Sequence, residues 1–275
     1  MNRLFAVIIS AQAILAVSNS ANAQAHYHLH VAAAGKKQGD TLRFDDSDQI
    51  SASHGFVSTL HFTNSGRFAG YFQGNLTTDV FSTSESHSAY SPDAPVPGSW
   101  IHLELASVEG PEGGSFGFWE VNAVAPTYSL VSGETGTNAW RIGENDGAPG
   151  SDPYGHIHGR RYTATKPGIY IVSFRALDFS TNGAGNGPIH APSETFQLRF
   201  QAGLTISSIT QQDGHAAVEF GATGGGAFAL EHATPIYGTN LWQQTGNTIA
   251  GNDHLLTLTD TNQINGTRLY RIRRD

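Results

Sequence analysis

Short runs of alternating apolar and polar residues dominate the chain from residue 26 onward and predict β-strands. The clearest of these runs span residues 100–105, 168–177 and 195–200. The helical period of about 3.6 residues is nearly absent. Between the runs lie polar segments rich in Gly and Pro, and three of them are longer than ordinary hairpin loops: 82–99, 132–154 and 180–193. The pattern therefore predicts an all-β protein, namely a β-sandwich with long loops.

The amino-acid composition changes near residue 203, where the density of histidine and aromatic residues falls and a series of short predicted strands begins. We expect two domains. Residues 26–202 would form a histidine-rich β-sandwich that binds metal, and residues 203–275 a small immunoglobulin- or fibronectin-like β module. The strands expected in this module span residues 216–220, 227–231, 255–259 and 267–272.

Residues 1–25 have the features of an export signal peptide: Arg3, an apolar run over residues 4–17, and small residues over 21–25. Cleavage after Ala23 and cleavage after Ala25 both fit, and the second would make His26 the new amino terminus. No later run approaches the roughly 20 apolar residues that a membrane-spanning helix needs. We therefore expect a protein without a membrane span that is secreted, periplasmic or located at the cell surface.

Composition restricts the possible metal ligands and binding partners, since the chain has no cysteine and a formal net charge of −8. Thiolate metal sites are excluded, so a transition metal would be held by imidazole nitrogen and by carboxylate or water oxygen. The acidic balance and the lack of a basic stripe argue against nucleic acid as a partner. No nucleophile elbow and no HExxH helix is present, and the sequence nominates no catalytic residue, which favours a protein that is not an enzyme.

The histidines carry the candidate chemistry. Alternate histidines in the run 26–30 would share one face of a strand, and the run 155–159 repeats the His-x-His spacing between two glycines. Two such pairs that converge across a sheet would supply the three or four neutral imidazoles that zinc binds. The predicted ligands of this divalent metal ion are His26, His28, His156, His158 and His190, with His30 and His102 as secondary candidates.

Seven short motifs together resemble those of a known protein family: HYH at 26–28, GFWE at 117–120, GETGTN at 133–138, DPYGHIHGRRY at 152–162, TKPGIY at 165–170, STNG at 180–183 and GPIH at 187–190. Together they resemble a family of secreted bacterial proteins that the zinc-uptake regulator represses, many of which end in a PEP-CTERM sorting signal. The resemblance covers residues 26–202, whereas the last residues, 269–275, have no Pro-Glu-Pro motif. The resemblance implies synthesis under zinc starvation and zinc capture or zinc sparing outside the cytoplasm.

Three functions follow as alternatives. The first is a non-catalytic zinc-binding protein that captures zinc under zinc limitation. The second is a copper oxidase or monooxygenase in which an amino-terminal His26 binds copper through its amino group and its ring. The third is an adhesin or carbohydrate-binding protein with a cell-surface or polysaccharide partner, whose contact aromatics would be Trp100, Trp119, Trp140 and Tyr154.

Overall fold

The computed structural model describes residues 27–83, 93–234, 241–262, 264 and 266–275. The predicted signal peptide and His26 lie outside these residues. The described part of the chain contains nineteen strands, three short 3-10 turns and no α-helix, which confirms the all-β prediction. The turns are Ala52–His54, Gly66–Phe68 and Ala184–Asn186. Over the same residues, no helix has the length and apolar character needed to cross a membrane.

Thirteen strands precede residue 203. They are β1 (His28–Ala33), β2 (Leu42–Asp45), β3 (Ser58–Thr63), β4 (Tyr71–Gly74), β5 (Thr77–Val80), β6 (Ile101–Glu109), β7 (Ser115–Trp119), β8 (Tyr128–Val131), β9 (Thr135–Arg141), β10 (Gly155–Ile157), β11 (Arg161–Ala164), β12 (Gly168–Asp178) and β13 (Phe196–Ala202). Nine of these strands form one sheet in the order β8-β7-β11-β4-β3-β13-β12-β6-β9. Its edge strands β8 and β9 approach each other, so the sheet curls toward a barrel.

One expected loop contains a strand. Residues 132–154 include β9, which pairs with β6 at the edge of the large sheet. Of its residues, Trp140 points inward and stacks on Phe118 with 3.8 Å between ring centroids, while Thr135 and Thr137 face solvent. Because one face of an edge strand meets water, most of its side chains are polar, and the segment lacks a clear apolar alternation.

The second sheet, in the order β10-β5-β1-β2, positions the candidate site. β1 pairs in parallel with β5, and β10 pairs with β5 from the other side. Strand alternation divides the side chains between two faces. Leu29, Val31 and Val80 point into the core that this sheet shares with the large sheet. The histidines of β1 therefore lie on the opposite, polar face.

The six remaining strands are β14 (Ile206–Gln212), β15 (His215–Ala222), β16 (Ala227–Ala233), β17 (Gln243–Ala250), β18 (His254–Asp260) and β19 (Leu269–Arg274). They form two three-stranded sheets, β14-β15-β18 and β17-β16-β19, around Phe220 and Phe228. Gln201, at the end of the first part, is buried and makes two 2.9 Å hydrogen bonds with the backbone of Gly221. These bonds join the two parts of the chain.

A buried carboxylate ties the last strands together. Asp260 is fully buried and accepts hydrogen bonds from Thr245 Oγ1 (3.0 Å), the Asn262 backbone (3.0 Å), Tyr270 Oη (3.0 Å) and Arg268. Burial alone would raise the pKa of Asp260, but these hydrogen bonds outweigh it and lower the pKa to about 2. The ionised carboxylate is therefore the form that the fold stabilises.

We predict that Asp260→Asn destabilises the protein at pH 7 by about 3 kcal/mol, because Arg268 loses its buried counter-ion. The folded pKa lies below the unfolded value of about 3.9, so this stabilisation is complete above pH 4 and is lost as the pH falls toward 2. Denaturant unfolding of both proteins from pH 7 to pH 2 measures it. Asp213→Asn removes an exposed carboxylate of the same module and serves as the control. A constant difference over that range would contradict the prediction.

Candidate metal site

The polar face of the four-stranded sheet carries the first two histidines of the candidate site. His28 and His30 alternate with the buried Leu29 on β1, so both imidazoles project from the same face, as the sequence spacing predicts. Their ring centroids are 5.5 Å apart. His26, a further predicted ligand, lies outside the described residues.

β10 brings a third histidine to this face. His156 pairs across the sheet with Asp79 of β5, and His30 pairs with the same aspartate from the other side. Gly155 allows this placement, since a Cβ atom there would lie 1.9 Å from the carbonyl oxygen of Ile142. The ring centroids of His28 and His156 are 5.1 Å apart. The structure thus brings both His-x-His runs together, through one member of the second run.

The carboxylate of Asp79 stands at the centre of the three imidazoles. His28 Nδ1 contacts Asp79 Oδ2, His156 Nδ1 lies 2.6 Å from Asp79 Oδ1, and His30 Nδ1 lies 3.5 Å from Oδ2. Exposure of the side chains increases outward from Asp79 (11%) through His30 (18%) and His28 (21%) to His156 (31%). The cluster therefore has a buried floor and a rim that solvent reaches.

Two buried polar atoms of this cluster lack a hydrogen bond with any residue that the structure describes. They are His30 Nδ1 and Asp79 Oδ1, the second of which lies 2.6 Å from His156 Nδ1 as an ion-pair contact. Buried polar groups are nearly always satisfied, and an unsatisfied one points to a bound water or ion. One ligand atom each from His28, Asp79 and His156 lies within 4.8 Å of the others. Two imidazoles and a carboxylate are donors that suit zinc and other divalent transition metals.

Burial also affects the protonation of His30. Desolvation is the largest influence and lowers the pKa of His30, while the negative charges of Asp79 and Asp48 oppose it. The neutral imidazole is thereby favoured, and a neutral imidazole is the form that binds a metal ion.

His158, predicted to lie beside His156 on a strand, is placed differently. β10 ends at Ile157, so His158 follows the strand and is exposed at the rim, with its ring centroid 4.2 Å from that of His156. Because His158 lies beyond the strand, strand alternation does not determine where its side chain points. Its predicted role as a ligand rests on this proximity to His156 alone.

His190, another predicted ligand, does not join the cluster. It is 1% exposed, its Nδ1 donates to the Asp40 carbonyl at 2.8 Å, and its Nε2 accepts the Val96 N–H at 2.8 Å. A neutral imidazole has one donor and one acceptor nitrogen, and both are used here. His190 therefore holds the 180–193 loop in place and has no lone pair left for a metal ion.

His102, the other secondary candidate, lies on β6 of the large sheet and not on the polar face of the small one. Its ring stacks on Phe179 with 4.3 Å between centroids, and Nδ1 lies 3.2 Å from the Trp100 carbonyl.

Of the predicted sugar-contacting aromatics, Trp119 and Trp140 are 1% and 2% exposed. These two rings belong to the core and offer no surface to a sugar.

Sequence reasoning missed Asp79. The feature that could have indicated it is a carboxylate inside a short run of strand-forming residues, Thr-Thr-Asp-Val over residues 77–80. Aspartate is depleted in strands, so its presence in such a run is unusual. An aspartate in such a run needs partners, and here cross-strand histidines provide them. The run alone does not say which partners those are.

Comparison with known proteins adds no relative to this description. No protein-family model matches the chain. A search of curated proteins likewise finds no match.

The burial of His102 makes the stability of the protein depend on pH. Burial, the largest influence, lowers the pKa of His102 below the usual value of about 6.5, so the unfolded chain takes up a proton there more readily than the folded protein. We expect the free energy of unfolding to fall as the pH drops below about 6.5, and His102→Phe to remove part of this slope. Denaturant unfolding between pH 8 and pH 5 tests this, with the His102 pKa followed by NMR. A pKa above 6.5 would refute it.

Proposed function

We propose that this protein is an exported, non-catalytic zinc-binding protein that captures zinc outside the cytoplasm when zinc is scarce. The observation that carries the proposal is the convergence of His28, Asp79 and His156 on the polar face of the small sheet, with one ligand atom from each within 4.8 Å of the others. His30 Nδ1 and Asp79 Oδ1, which are buried and make no hydrogen bond within the described part of the chain, are consistent with it.

The donor set favours zinc among the metals. Imidazole nitrogen binds zinc at about 2.0–2.1 Å and carboxylate oxygen at about 2.0–2.2 Å, and the ion tolerates mixed N/O ligands in tetrahedral geometry. A calcium or magnesium site would instead consist mainly of oxygen ligands. Copper is the alternative ion, because imidazole also suits Cu(II). The resemblance to proteins repressed by a zinc-uptake regulator points to zinc as the physiological ligand.

Export and capture fit the placement of the site. The carboxylate is buried and the histidines reach solvent, so an ion can arrive from the surrounding medium without a large rearrangement of the fold. The predicted signal peptide, residues 1–25, would deliver the protein to the compartment where such capture is useful.

We predict that the protein purified without chelators contains one zinc ion per chain, and that His28→Ala and His156→Ala each lose it. His54→Ala is the matched control, because His54 also pairs with a carboxylate, with 2.9 Å between its Nδ1 and Asp46 Oδ2, but lies outside the cluster. Metal analysis of the four proteins gives the result. Stoichiometric zinc in both cluster variants would refute the assignment. Copper in place of zinc, together with a mature amino terminus at His26, would favour the copper enzyme.

Zinc binding should also depend on pH. At least two histidines must be neutral to bind the ion, so protons compete with zinc as the pH falls. We expect the dissociation constant to rise more than about tenfold between pH 7.5 and pH 5.5. Competition with a chromophoric chelator measures it at each pH. An affinity that stays constant over this interval would exclude histidine as the principal ligand.

A further inference from the structure

A polar cleft lies where the C-terminal module meets the large sheet. Its volume is about 370 Å³, which is within the range of sites that bind small molecules. Strands β3 and β4 and the start of β11 line one side, and Thr223 and Asp253 of the module line the other. None of the three proposed zinc ligands lines it. The cleft is therefore a second candidate site, to which both parts of the chain contribute.

Two amide side chains of the cleft have unused hydrogen-bonding groups. Gln73 lies on β4 and Asn75 directly follows that strand, and neither side chain makes a hydrogen bond with the residues that the structure describes. An amide side chain has two N–H donors and an oxygen that accepts. Hydroxyl groups also donate and accept, so this pair suits a ligand that carries several hydroxyls.

Arg161 adds a positive charge to the same cleft. The antiparallel pairing of β4 with β11 places Asn75 across from Arg161, which is half-buried. Its guanidinium donates from Nη1 to the Arg160 carbonyl at 3.2 Å and forms no ion pair with a carboxylate of the described residues. A partly desolvated charge with unused donors favours an anion, and the guanidinium fork matches a carboxylate in particular.

Asp253 supplies a fixed acceptor on the opposite wall. It is 9% exposed and has a φ of 59°, and two backbone hydrogen bonds of 2.8 Å, with Val57 and Ala222, hold it there. Residues kept in this sparsely populated conformation occur preferentially at functional sites. Oδ1 accepts the Gly224 N–H at 2.7 Å, which leaves Oδ2 to accept a hydroxyl of a ligand. The negative charge of Asp253 disfavours a doubly charged phosphate in the same cleft.

Tyr27 provides an apolar surface at the end of the cleft. Its ring is half-buried and packs edge-on against the buried Phe56, with 4.8 Å between centroids. An aromatic ring in this position can cover the C–H groups of a sugar ring while its hydroxyl stays in water. The lining therefore combines one aromatic ring with amide, guanidinium and carboxylate groups.

We propose that this cleft binds a uronic acid unit of an acidic saccharide. Arg161 pairs with the sugar carboxylate, while Asn75, Gln73 and Asp253 bind its hydroxyls. The inference goes beyond zinc binding and does not depend on it. Binding of this kind attaches the protein to an acidic polysaccharide through a site other than the buried rings of Trp119 and Trp140.

Isothermal titration of the purified protein with trisaccharides of galacturonate and of glucuronate tests the proposal. The methyl esters of the same trisaccharides are the matched probes, because they keep the hydroxyls and lose the charge. EDTA in the buffer keeps the zinc site empty. We expect at least one of the acids to bind more than about tenfold more tightly than its ester, and Arg161→Ala to abolish that difference.

Asn75→Asp is a second variant, in which the new carboxylate competes with the sugar for Arg161. Asn75 is exposed, so the fold should be preserved, and binding of the acid should fall more than about tenfold. Arg43→Ala removes an exposed arginine of β2 and serves as the control, with wild-type affinity expected. Circular dichroism verifies that each variant is folded.

Three results would overturn the cleft as a uronate site: no binding of any of these trisaccharides, equal affinity for acid and ester, or unchanged affinity in folded Arg161→Ala and Asn75→Asp. Binding that requires zinc and disappears with EDTA would place the sugar carboxylate on the metal, which overturns this inference and leaves zinc binding intact. Uronate binding in a protein that takes up no zinc would support the cleft and overturn the proposed function alone.

Discussion

The desolvated carboxylate of Asp79 is the constraint on which the small sheet and its site depend. A buried charge is costly unless it is paired, and this one stands on the middle of three strands with imidazoles on both sides. The pairing of β5 with β1 and β10 supplies those imidazoles. Strand order and electrostatics thus support each other, because each neighbouring strand brings a partner that the carboxylate requires.

The rest of the sandwich keeps these strands in register. The opposite face of β1 contributes Leu29 and Val31, both fully buried, to the core that the large sheet completes. A slip of one residue would turn these side chains to solvent and the histidines to the core, so the hydrophobic effect fixes the register that the site needs. The aromatic stack of Phe118 and Trp140 holds the edge strand β9 on the same core.

The C-terminal module is attached to the first part of the chain largely through polar contacts. These contacts include the hydrogen bonds of Gln201, the Thr59–Thr223 pair with 2.8 Å between hydroxyl oxygens, and the backbone bond from the Val57 N–H to the Asp253 carbonyl. Specific hydrogen bonds fix an orientation where a small apolar contact would not. Within the module, Asp260 accepts hydrogen bonds from Thr245, Arg268 and Tyr270, so each part of the chain contains a buried aspartate with partners from neighbouring segments.

The sequence by itself determined the fold class, because short alternating runs and the near absence of helical periodicity leave few alternatives to a β-sandwich. It also determined that His28 and His30 share a face, since strand alternation is a local property. Only the tertiary structure decided which histidines meet. Asp79 became the centre of the cluster, and His190 became a buried hydrogen-bonding residue. Both outcomes depend on pairing between segments far apart in the chain, and local patterns of polarity do not encode which strands will be neighbours.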